Sequence, residues 1–79
     1  MKIKSVTNYH LDGHDQLQRS MVKLDCGARA RRVVALVEQD GSLSCVLSSP
    51  QWQVQIHNGE YHNIFGSEAE RWETALQAL

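Results

Sequence analysis

The sequence predicts an α+β fold: an antiparallel β-meander of five to six strands, as a curved sheet or a partly closed small barrel, with one C-terminal amphipathic helix packed on it. Three observations carry this expectation. Short Val-, Ile- and Leu-bearing segments repeat along the chain. Asp-Gly and Asn-Gly dipeptides separate them at hairpin spacing. The last dozen residues then switch to a helical period. With 79 residues there is room for one domain, 1–79.

The first strand is expected from about Ile3 to Tyr9, followed by a turn at Asp12-Gly13 with polar flanks. The second runs from about Gln18 to Cys26, with Val22, Leu24 and Cys26 inward. Val33–Val37 is apolar on both faces and reads as a central strand. The preceding Ala28–Arg32 has good helix propensity, but the valines and the Asp40-Gly41 turn favour extended chain. That turn leads into Leu43–Leu47 and sets Leu36 opposite Cys45 and Val34 opposite Leu47. Ser48-Ser49-Pro50 is expected to end this strand.

Trp52–Ile56 and Tyr61–Phe65 flank Asn58-Gly59, the signature of a two-residue type I′ turn. Such a turn places Ile56 opposite Tyr61, Val54 opposite Asn63 and Trp52 opposite Phe65, all on one apolar face. Gln51, Gln53, Gln55 and His57 then stand on the other face, with His62 and Ile64 on the neighbouring strand. Ser67 and Glu70 form a capping box, and Glu68 and Glu70 suit the positive end of the helix dipole. Trp72, Ala75, Leu76 and Leu79 make the apolar stripe.

Composition is that of a globular protein, 42% hydrophobic and 22% charged. The N-terminal Lys2 and Lys4 precede no apolar run, so no secretory signal is expected, and no segment approaches the ~20 apolar residues of a membrane helix. The expected location is cytoplasmic, with no membrane partner and with Cys26 and Cys45 as reduced thiols. Net charge is −1, unevenly spread. Residues 1–37 hold seven Lys or Arg against three acids, +4; residues 38–79 hold one against six, −5. A uniformly basic nucleic-acid binder does not have this distribution, whereas a dipolar surface suits a charged partner.

No motif names a reaction. His10 and His14 flank a turn, His57 and His62 flank another, and no zinc spacing occurs, so no metal or cofactor is expected. The cysteines fall at inward positions, where a thiolate is disfavoured. Ser44, Ser48 and Ser49 have no triad context, and no Gly-rich phosphate loop is present. The expectation is a protein that is not an enzyme.

Two surfaces stand out as partner sites. One is the basic segment Arg19, Lys23, Arg29, Arg31 and Arg32, in which Arg31 and Arg32 are expected to point to opposite faces. The other is the polar sheet face Gln53, Gln55, His57 and His62. The expected function is a small protein-binding module that meets an acidic protein surface, of the kind phages and mobile elements encode as inhibitors of a host machine (anti-CRISPR-type or similar). The alternatives are a small nucleic-acid-binding protein that uses the Arg29–Arg32 segment, and a homodimeric structural protein.

Overall fold

The computed structural model describes residues 1–10 and 17–79. The Asp12-Gly13 turn, His14 and Asp15 lie outside the described residues. Five strands run β1 (Ile3–His10), β2 (Leu17–Leu24), β3 (Arg29–Val37), β4 (Leu43–Gln55) and β5 (Tyr61–Ile64), then helix α1 (Gly66–Gln77). The strands form one antiparallel sheet in the order β1-β2-β3-β4-β5, and the sheet does not close. Five strands appear rather than six because the segments on either side of Ser48-Ser49-Pro50 merge into the 13-residue β4.

Pro50 is accommodated by a wide bulge. On β3, Val33 pairs with Gln51 and Ala35 pairs with Val46. Val34 therefore faces four residues, Leu47 to Pro50, and the missing Pro N–H falls where the ladder is already interrupted. Beyond the bulge, Leu36 sits opposite Cys45 as the sequence predicts. β3 begins at Arg29, so the Arg-rich stretch is strand and not helix. Tertiary context overrides propensity there: Ala30, between Val22 and Val54 in the ladder, is fully buried.

The hairpin loops at 25–27, 39–41 and 57–59 share one design. Leu24 N–H donates to Ala28 O and Gly27 N–H to Leu24 O; Glu38 with Ser42 and Gly41, and Ile56 with Glu60 and Gly59, repeat the pattern. Each loop has three residues and ends on a glycine with φ of 93°, 87° or 86°. A type I′ turn needs two positive φ values, and among the described residues no non-glycine has one. The loops are type I turns with a Gly bulge.

The extra loop residue shifts the register of the last hairpin. Trp52 pairs with Ile64, Val54 with His62, Gln53 with Asn63 and Gln55 with Tyr61. The expected pairs of Trp52 with Phe65, Val54 with Asn63 and Ile56 with Tyr61 do not form. A slip by one residue exchanges the two faces of a strand. Ile64 therefore enters the core, while Tyr61 turns to the other side.

One face of the sheet is covered by α1. Val22, Leu24, Ala30, Trp52 and Ile64 pack with Trp72 of the helix, and Ile3, Val6, Val54, Ala69 and Leu76 extend the cluster. The Trp52 and Trp72 rings lie 5.9 Å apart at 30°. Truncating a core Trp to Ala costs about 3–5 kcal/mol, so these two rings are the main tie between the layers. Leu79, expected in the helical stripe, is 74% exposed beyond the helix end. The expected capping box also fails. Phe65 is the N-cap and makes no side-chain cap bond, so Ser67 already lies inside the first turn.

Cys26 and Cys45 are both exposed, against the inward placement expected. Cys26 falls in the three-residue loop after Leu24. Cys45 belongs to the outer part of the β3–β4 hairpin, where its partner Leu36 and neighbouring Val46 are exposed too.

Candidate functional site: the open face of the sheet

The ladder decides which side chains stand on the face that α1 leaves open. Alternation along each strand sends Thr7, Met21, Arg31, Gln53 and Asn63 to that face in one cross-strand row. A second row holds Tyr9, Arg19, Val33 and Gln51. Ser5, Lys23 and Arg29 form a third, and Gln55 and Tyr61 stand opposite each other on β4 and β5. Four cations, Arg19, Lys23, Arg29 and Arg31, thus share one surface, and no acidic residue stands in these rows.

Two of the cations lie over aromatic rings. The Arg31 guanidinium carbon lies 3.9 Å from the Tyr61 ring centroid, and that of Arg19 lies 4.7 Å from Tyr9. These cation–π contacts fix two long side chains that are otherwise mobile. The Nε atoms of Arg19 and Arg31 are buried without a hydrogen-bond partner among the described residues, so stacking holds these groups in place.

The amide side chains interleave with the charges. Gln53 donates from Nε2 to Asn63 Oδ1 at 2.8 Å, and Gln55 donates from Nε2 to Gly59 O at 3.0 Å. Each amide keeps a free acceptor or donor. Beside them, Ser5, Thr7, Tyr9, Met21, Lys23 and Arg29 line a shallow depression of about 180 Å³.

Arg32 does not belong to this surface. It points to the covered face, as its parity against Arg31 predicts, and donates from Nε to Glu73 Oε2 at 2.8 Å and from Nη2 to Glu73 Oε1 at 3.1 Å. Trp52 Nε1 donates to the same Oε2 at 2.8 Å, and Gln77 Nε2 to Oε1 at 3.2 Å. The Arg32 bonds hold the Glu73 carboxyl below its ordinary range, against an opposing push from burial and with help from Trp52 and Gln77. This network docks the helix on the sheet.

The polar site expected from sequence divides as well. Gln53 and Gln55 are on the open face, while His57 lies in the loop. His62 pairs with Val54 and so stands on the helix side, because of the register shift. The two sites predicted separately, basic and polar, are therefore one surface made of Arg19, Lys23, Arg29, Arg31, Gln53 and Gln55. Tyr9 and Tyr61 complete it. The sequence pattern predicts Tyr61 in the core, and the three-residue loop turns it to the open face instead.

No family model, curated protein or solved structure matches this chain. Among the described residues, no group of three His, Cys, Asp or Glu side chains is arranged to hold a metal ion. No described helix is long and apolar enough to cross a membrane.

Proposed function

We propose that this protein is a non-catalytic binding module that takes an anionic macromolecular partner on the open face of its sheet. One observation carries the proposal. Arg19, Lys23, Arg29 and Arg31 share that face with no acid in its rows, although the chain as a whole has a net charge of −1. Acids are instead at hairpin tips such as Asp40 and Glu60, and on α1 as Glu68, Glu70 and Glu73. Segregation of this kind concentrates positive potential on one side of a thin molecule and steers an anionic partner to it. Both the acidic protein surface expected from sequence and a phosphate backbone offer such charge.

The test is retention on immobilised heparin, a polyanion with no bases and no protein fold. The parent should bind at low salt. Lys23→Glu with Arg29→Glu, both on the open face, should elute at much lower salt. Arg71→Glu, an exposed change on the helix, should elute with the parent. A parent that passes straight through, or an Arg71 variant that loses as much as the double variant, refutes the proposal.

A further inference from the structure

We infer that the anionic partner is single-stranded nucleic acid, with a base stacked on Phe65; this rests on the open face being the binding surface. Phe65 follows β5 with extended backbone, φ −140° and ψ 169°. The alternation of Tyr61 and Asn63 therefore continues and sends its ring to the open face. There it extends the row of Tyr9, Arg19, Val33 and Gln51, since Gln51 precedes Trp52, the partner of Ile64.

Nothing in the fold accounts for a phenylalanine at this position. The ring is 70% exposed and has no part in the core cluster. It is also the helix N-cap, where it supplies no cap bond and where Ser, Thr, Asp or Asn is the stabilising choice. Unlike Tyr9 and Tyr61, it has no guanidinium over its face among the described residues. An uncovered aromatic ring beside a cationic surface is what a base requires, and base stacking on such rings tolerates any sequence.

The remaining features fit the same ligand. Arg31, held 3.9 Å from the Tyr61 ring centroid, adds a fixed positive charge to the same face. Lys23 and Arg29 supply charge for phosphates, and the Gln53 and Asn63 amides can bond to base edges. A single strand brings, in each nucleotide, both a phosphate for the cations and a flat base for the uncovered ring. A duplex hides the base faces, and α1, the one helix among the described residues, lies in the opposite layer, away from any groove the face meets. From Tyr9 on β1 to Phe65 past β5 is four strand spacings, about 19 Å, so a short oligonucleotide covers the site.

The experiment is fluorescence anisotropy of the full chain with labelled twelve-nucleotide dT and rU strands and a matched duplex. Single strands should bind at least about tenfold more tightly than duplex. The slope of log K against log salt should be about −2 to −3, the value for three to four phosphates neutralised on a single strand. Phe65→Ala and Phe65→Leu should each weaken binding about tenfold or more, while Phe65→Tyr and Phe65→Trp stay within about twofold of the parent. Because the ring is exposed, all four variants should melt like the parent. Binding that Phe65→Leu leaves unchanged overturns the stacking inference. So does a parent that is retained on heparin but ignores both strands, and in that case binding to a polyglutamate peptide assigns the face to an acidic protein. A parent that fails on heparin as well overturns both readings.

Discussion

Replacing Glu73 by Gln tests what holds the two layers together. The carboxylate receives Arg32 Nε and Trp52 Nε1 on Oε2, and Arg32 Nη2 and Gln77 Nε2 on Oε1. Gln offers one acceptor oxygen, so two of these donors must meet an NH2 group whichever way the amide turns. The cheaper orientation sacrifices the Oε1 pair, because Gln77 is exposed and regains water. What is lost is one charge-assisted bond from Arg32 and the neutralisation of its charge. The Arg32 side chain is only 18% exposed, so water replaces little of this. A lost bond to a charged group costs about 1.5–3 kcal/mol, and about 2 kcal/mol is the expected loss here. A chain of this length has about 4–12 kcal/mol in total. Tm should fall by about 8–16 °C. Urea unfolding followed by Trp fluorescence measures it directly, since Trp52 and Trp72 both sit at the junction. The m-value should not change. Arg32→Met in the same background closes a double-mutant cycle, and the pair should be less than additive. A Glu73→Gln midpoint within about 0.3 kcal/mol of the parent refutes the reasoning.

Three other outcomes follow from the same geometry. Glu73 has a folded-state pKa below its unfolded value, so its contribution is full above the ordinary carboxylate range and is lost as pH falls through the lowered value. Urea midpoints taken from about pH 7 down to about pH 3 should therefore drop more steeply for the parent than for Glu73→Gln; parallel curves contradict this. Gly41→Ala meets no atom within 4 Å of the added Cβ, so its cost of about 1–2 kcal/mol is backbone strain at φ 87°. Gly41→Asn should cost less than Gly41→Ala in the same urea assay, and equal losses rule out the left-handed conformation as the cause. Cys26 and Cys45 should both react with a thiol reagent in the native state as fast as in urea, since both are exposed. A thiol that reacts only after unfolding would place it back in the core.

The meander, the C-terminal helix and the inward placing of Val22 and Leu24 were legible because each rests on a local pattern: alternation, a Gly-bearing turn, a helical period. Two kinds of information were not local. One is loop length. Asn-Gly marks a turn equally well whether the loop has two residues or three, and only the Ile56–Glu60 pairing shows which. The other is the extent of the helix layer. Cys45 has the parity and the apolar neighbours of a core residue, but the outer part of the hairpin, which carries it, lies outside the core cluster. The basic cluster itself was readable, and so was the divergence of Arg31 from Arg32. That Arg32 is taken up by Glu73, 41 residues away, was not.

Loop length is also what gives the open face its chemistry. With a two-residue turn at Asn58-Gly59, Tyr61, Asn63 and Phe65 would share the face of Trp52 and lie under the helix, and Ile64 would stand in solvent. With His57-Asn58-Gly59 as the loop, Ile64 is buried and the aromatics turn outward. The same residue that corrects the register thus carries Tyr61 beneath Arg31 and places Phe65 beside the cations. One helix covers one side of a five-stranded sheet, so the other side must be made of groups that tolerate water or wait for a partner. Stacked guanidinium groups, amides and an uncovered ring do both. The folding constraint on one face and the binding chemistry on the other are therefore set by a single backbone feature, a glycine in the left-handed region after two ordinary loop residues.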